Sequence, residues 1–255
     1  MDDLITVQGI VLSAMPVGDY DRRIVLLTRE RGKIAAFAKG ARRPKSPFLA
    51  ATSPFVFGSF TLYEGRTSYN LQQVNVTHYF SELAMEQPGV YYGYYFLELA
   101  DYFGQENTDE KESMNLLYVT VKALLNNKLE NRLVRCIYEL RMLQLQGYGP
   151  SLYGCACCET EPQEGEELFF SIHAHGILDK KCLSAVHDAG RISPGTLYAM
   201  RYITGAPMGK LYTFTVNEDI LHELERYIRV YTADIVDKRF KSLDILEVME
   251  KQCRV

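Results

Sequence analysis

Gly18-Asp-Tyr-Asp-Arg-Arg-Ile-Val-Leu-Leu-Thr-Arg-Glu-Arg-Gly-Lys-Ile-Ala-Ala-Phe-Ala-Lys-Gly-Ala-Arg-Arg-Pro-Lys-Ser46-Pro47 decides how this chain is read. Two apolar runs of strand length, 22–28 and 33–39, flank Arg31-Gly32-Lys33, which has the form of a hairpin turn. Gly40 to Pro47 is a loop, because Pro44 and Pro47 cannot donate to the ladder of a central strand. Arg22, Arg23, Arg29, Arg31, Lys33, Lys39, Arg42, Arg43 and Lys45 supply nine cations against Asp19, Asp21 and Glu30. The segment is +6 in a chain whose net charge is −4, so the remainder sums to about −10. A cationic loop at the end of a small β-domain suits a polyanion, because each neutralised phosphate releases condensed counterions.

Outward from this segment the β-pattern continues in both directions. Ile5, Val7, Gly9 and Val11 recur with the period of two of a half-buried strand. Thr52 to Tyr63 reads as a fourth strand and Tyr69 to Val76 as a fifth. Five short strands within about 80 residues predict a small barrel, and the OB-fold is the five-stranded barrel that binds oligonucleotides. Residues 1–80 are therefore read as an OB-fold DNA-binding domain.

Beyond residue 80 the period changes to that of helices. Val90–Phe103, Asp109–Asn126 and Leu129–Leu145 carry apolar residues at three- and four-residue spacing. The run Tyr91-Tyr92-Gly-Tyr94-Tyr95-Phe96 falls in an uncharged helical stretch and is assigned to the core rather than to base stacking. Gly147-Tyr-Gly-Pro150 ends the third helix. Ser193-Pro194 opens another, and Asn217 caps a last one over 218–240. The class is α+β: a barrel, then an α-helical domain over 81–255 with a cysteine-rich insertion at 150–185.

Six cysteines occur, and four of them fall within that insertion: Cys155, Cys157, Cys158 and Cys182. In a reducing compartment such a cluster suggests metal rather than disulfides. Cys155 and Cys158 form a C-x-x-C pair, and Asp179 with Cys182 forms D-x-x-C twenty residues on. That is zinc-ribbon spacing with Asp in place of one Cys, and a carboxylate oxygen is an acceptable zinc donor. The expected ligands are Cys155, Cys158, Asp179 and Cys182; Cys157, His173 and His175 are the other candidates for the fourth position. Glu159, Glu161, Glu164, Glu166 and Glu167 crowd the same loop, so a zinc site there is structural rather than DNA-reading.

Composition narrows the function further. The chain is 47% apolar and 24% charged, with no run near the ~18 residues of a membrane span, and its acidic start is unlike a secretory leader. A cytoplasmic protein is expected. No phosphate-binding loop, dinucleotide fingerprint, nucleophile elbow or H-E-x-x-H is present. A non-enzymatic adaptor follows. A zinc hydrolase with Asp179 as a weak ligand is the rival, and an RNA-binding OB protein a third reading. Lys39, Arg42, Arg43 and Lys45 are the first expected phosphate contacts, then Arg22, Arg23, Lys33 and Arg66. Tyr20, Phe37, Phe48, Tyr63 and Tyr69 are interleaved with them as possible stacking surfaces.

Several stretches together resemble the RecO family of bacterial recombination mediators. They are Gly9-Ile-Val-Leu, Gly18-Asp-Tyr-Asp-Arg-Arg-Ile-Val, Leu27-Thr-Arg-Glu-Arg-Gly-Lys-Ile, Ala38-Lys-Gly-Ala-Arg-Arg-Pro-Lys-Ser, 54–63 with Gly65-Arg66, Gly147-Tyr-Gly-Pro-Ser-Leu and Ile192-Ser-Pro-Gly-Thr-Leu. The resemblance spans nearly the whole chain. It implies an OB-fold, a helical domain with a zinc-binding insertion, binding of single- and double-stranded DNA, and a place with the nucleoid. It also implies strand annealing, and loading of RecA on strands coated with single-strand-binding protein (SSB), together with RecR. Where many relatives have two C-x-x-C pairs, this chain has Asp179 in one of the four positions.

Overall fold

The computed structural model describes residues 4–253 apart from Thr67 and Glu164, so Glu164 of the acidic loop lies outside the described residues. The N-terminal strands are β1 (Leu4–Val17), β2 (Asp21–Thr28), β3 (Gly32–Ala38), β4 (Phe57–Glu64) and β5 (Tyr69–His78), with a short helix α1 (Phe48–Ala51) after β3. They close into a barrel in the order β1-β2-β3-β5-β4, with β3 and β5 parallel and the other pairs antiparallel. Closure is possible because β1 is long: its first half pairs with β4 and its second with β2, across a bulge between Val11 and Ser13. Alternate residues point inward, and Val7, Val11, Ile24, Leu26, Ile34, Ala36, Phe60 and Leu62 fill the interior. The β2–β3 hairpin turns at Gly32, with φ +64°, where a Cβ would collide with the carbonyl oxygen of Gln105.

The fourth strand begins at Phe57, not at Thr52. Phe55 adopts φ +71°, which no strand residue can hold, and Thr52 is drawn into the end of α1 by donating to the Phe48 carbonyl at 2.7 Å. Phe55 and Val56 instead exchange backbone hydrogen bonds with Val11.

The chain forms two compact units. The first holds the barrel, α2 (Gly89–Phe103), α3 (Lys111–Leu124) and α7 (Lys241–Cys253). Tyr92, Tyr95 and Phe96 of α2 are buried, as their uncharged helical stretch predicts. Glu98 of α2 accepts the Ser242 N–H at 3.0 Å, and the Tyr92 hydroxyl donates to Glu250 at 2.6 Å, which together tie α7 to α2.

The second unit holds α4 (Asn131–Leu145), β6 (Phe169–Ser171), β7 (Gly176–Leu178), β8 (Gly190–Arg191), α5 (Pro194–Gly205) and α6 (Glu218–Ile235). The small sheet runs β7-β6-β8. Ser193 and Asn217 cap α5 and α6 as read from sequence, accepting the N–H groups of Thr196 and Ile220. Helix α6 stops at Ile235 rather than reaching Phe240. Val236 turns extended, and Phe240 is buried in the first unit against Tyr95 and Tyr102, so a separate helix α7 follows.

Candidate nucleic-acid interface and metal centre

One end of the barrel gathers most of the expected phosphate contacts. The β1–β2 turn and the loop after β3 meet there. The Arg42 N–H donates to the Tyr20 carbonyl at 2.8 Å, its guanidinium reaches the Gly18 carbonyl at 3.2 Å, and the Gly40 N–H donates to Asp21 at 2.7 Å. Asp21, counted from sequence only as a negative charge, is thus the brace between the two loops. Arg22 opens β2 opposite Ala38 and donates to the Leu49 carbonyl (2.7 Å) and to Thr52 (3.0 Å), holding α1 against the strand. Arg23, Lys39 and Lys45 are exposed, and no side-chain hydrogen bond or ion pair of theirs is found among the described residues. Arg43 lies over the Tyr20 ring, 5.2 Å from its centroid. Arg22 and Arg23 at the start of β2 and Lys39, Arg42, Arg43 and Lys45 on the loop after β3 therefore share one end of the fold.

Lys33 and Arg66 do not join them. Six strand residues separate Lys33 from Lys39, about 20 Å. Lys33 sits by the β2–β3 hairpin, donates to the Asp101 carbonyl at 2.5 Å and lies 3.5 Å from its carboxylate. It fastens the barrel to α2. Arg66 follows Glu64, which pairs with Arg31 of the same hairpin at 3.8 Å. A linear stretch of charge is split by the strand that runs through it, and its hairpin half is largely balanced by acids.

The metal-type cluster has the composition read from sequence. Ligand atoms of Cys155, Cys158, Asp179 and Cys182 all lie within 4.8 Å of one another. Cys155 and Cys158 sit in a tight turn, in which the Cys155 N–H donates to Thr160, the Glu159 N–H donates to Cys155, and Glu159 takes φ +61°. Ala156 donates to Ile177 at 2.7 Å, docking this turn on β7. Asp179 follows β7 directly and Cys182 lies in the short 3-10 turn after it. Burial opposes ionisation of the Cys155 thiol, yet the backbone N–H groups of Asp179, Cys158 and Cys157 hold it below its ordinary range. The Cys158 contact, then burial and the Asp179 contact, push Cys182 far above its own.

The donors fit a metal. A tetrahedral ion with Zn–S bonds of about 2.3 Å sets its donors about 3.8 Å apart, within a small inward movement of the positions observed. Four protein donors leave no open position, the pattern of a structural site. Cys157 is exposed and outside the cluster. His173 pairs with Asp188 at 3.3 Å and His175 packs edge-on to Tyr231, so neither is the fourth donor. No helix among the described residues is long and apolar enough to cross a membrane.

Comparison with known families matches both halves of this architecture. The family model for recombination protein O N terminal covers residues 1–80, and that for recombination protein O C terminal covers residues 89–244. The chain belongs to the RecO family. Among curated RecO proteins, the DNA repair protein RecO of Acetivibrio thermocellus is 28% identical over 243 residues, 95% of this chain and 96% of that one. Those of Symbiobacterium thermophilum and Shouchella clausii are 29% identical, over 96% and 95% of this chain and 98% and 94% of theirs. The barrel of this chain thus coincides with the N-terminal family region, and the metal-type cluster lies inside the C-terminal one.

Proposed function

We propose that this protein is a DNA-binding recombination mediator that acts in DNA repair without bond chemistry of its own. It anneals complementary strands and, with RecR, helps load RecA on single strands coated with SSB. The observation that carries this reading is the group of six cations at one end of an OB-type barrel, four on the loop after β3, which is braced to the β1–β2 turn, and two at the start of β2. Fixed cations lower the repulsion between two phosphate backbones and raise local strand concentration, while the bases themselves read sequence. Arg23, Lys39, Arg42, Arg43 and Lys45 make the phosphate contacts. Arg22 adds its charge while holding α1, and Lys33 and Arg66 lie outside the main footprint.

Zinc at Cys155, Cys158, Asp179 and Cys182 supports the fold of the second unit. When bound, it cross-links the turn at 155–160 to the segment after β7. Glu159, Glu161, Glu166 and Glu167 keep this region away from DNA phosphates.

The test mixes two complementary labelled oligonucleotides with the protein, with and without ATP, bare and coated with SSB. Equal acceleration of pairing with and without ATP, retained on coated strands, is the expected result. Acceleration only with ATP overturns the adaptor reading. No acceleration reduces the protein to a plain DNA binder.

A further inference from the structure

The cationic end also carries exposed apolar side chains, which phosphate binding does not use. Met15 and Val17 at the end of β1 are 59% and 38% exposed, and Tyr20 in the following turn is 51% exposed. Met15 and Val17 are two residues apart and so share a face of the ribbon, with Arg23 directly opposite Met15. Tyr20 is fixed rather than loose. Its carbonyl accepts the Arg42 N–H, the carbonyl of Gly18 accepts the Arg42 guanidinium, and Asp21 next to it is held by Gly40. Arg43 covers one face of the ring, and half of the residue is still open to solvent. The ring is therefore backed by one cation on one side and open to solvent over about half of the residue.

We infer that Tyr20 is a stacking platform for an unpaired base, so that this end of the barrel prefers single-stranded over double-stranded nucleic acid. The inference rests on the proposed DNA binding and adds its strand preference. Bases in a duplex already stack on their neighbours and offer no free face away from the ends. An unpaired base beside a phosphate held by Arg23, Arg42 or Arg43 has both faces free. Stacking tolerates any base, since every base has a π-face, and the Arg43 guanidinium behind the ring extends the platform. Met15 and Val17 provide apolar surface beside it.

The experiment measures binding of three fluorescent probes of equal length: a mixed-sequence single strand, the same backbone with abasic sugars throughout, and a duplex. Tyr20→Ala weakens single-strand binding by roughly 5- to 150-fold, the range of one lost base stack. It leaves the abasic and duplex probes and the salt dependence unchanged, because no phosphate contact is removed. Tyr20→Phe restores wild-type binding. Equal weakening on all three probes, or no weakening on any, overturns the inference while leaving the phosphate interface standing. A wild-type protein that binds none of the probes overturns the underlying DNA-binding reading and this inference with it.

Discussion

Asp179 and Cys182 are joined twice over. One carboxylate oxygen of Asp179 accepts the backbone N–H of Cys182 at 2.9 Å and the Asp179 carbonyl accepts the same N–H at 3.2 Å, while the other carboxylate oxygen faces the sulfur of Cys158 at 3.4 Å. The aspartate is at once the N-cap of the short turn that positions Cys182 and a donor to the same cluster. Burial opposes its ionised form, but the N–H and thiol of Cys182, the thiol of Cys158 and the N–H of Lys181 together hold its carboxyl below the usual carboxylate range. A cysteine at this position adds a sulfur donor but gives up the carboxylate cap. The departure from the four-cysteine pattern is thus accommodated locally.

Asp179→Asn separates the two roles. The amide oxygen still caps Cys182 but without the charge that its contacts favour, so the metal-free variant melts only slightly below metal-free wild type at pH 7. Its zinc is lost to a chelator at lower concentration, because an anionic donor is gone. Thermal melts with and without chelator, alongside metal analysis, check this. A variant that keeps its zinc as firmly as wild type removes Asp179 from the ligand set.

Asp188 gives the second unit an acid-sensitive brace. It accepts the Ser171 hydroxyl at 2.6 Å and the N–H groups of Ile172 and His173 at 2.7 and 3.1 Å. Burial works against its ionised form, but these bonds prevail and hold its carboxyl well below the usual range. A depressed carboxylate stabilises the fold above its unfolded value of about 3.9 and loses that contribution as the pH falls below it. Asp188→Asn is therefore less stable than wild type at pH 7, and the difference shrinks between pH 4 and pH 2. Urea midpoints across that range measure it, and a constant difference contradicts it.

Arg135 and Glu139 form a buried i,i+4 pair in α4, 2.9 Å apart, with side chains only 4% and 1% exposed. Glu139→Ala removes the anion from this buried ion pair and costs about 3–5 kcal/mol of unfolding free energy. Arg135→Met together with Glu139→Leu recovers most of that, since an apolar pair of similar volume needs no partner. Equilibrium unfolding of both variants decides whether the pair is held by mutual need.

The barrel was legible because alternation and turn residues are local. The period of two, Gly32 at the hairpin and the prolines after Gly40 each act over a few residues. Zinc-type spacing was legible for the same reason, and so were the caps at Ser193 and Asn217. What the sequence hid depends on tertiary contact. The stretch 52–56 has strand-like composition, but Phe55 is turned over by its bonds to Val11. Helix α6 was read through to Phe240 because 236–240 holds no glycine or proline, and α7 after it was not read at all; the break accompanies burial of Phe240. The three short strands around the cysteines are too brief to show a period. Lys33 and Lys39, close in sequence, lie at opposite ends of an extended strand, a separation that a charge count along the chain does not show.

The most direct test of the cationic end is the salt dependence of single-stranded DNA binding. For wild type, the logarithm of the affinity falls with log salt at a slope of about −0.7 per phosphate neutralised. Replacing Arg42, Arg43 and Lys45 together with Ala flattens that slope by about two and weakens all sequences alike, whereas Lys33→Ala leaves it unchanged. An unaltered slope in the triple variant, or a flattening in Lys33→Ala as large as in the triple, contradicts the account.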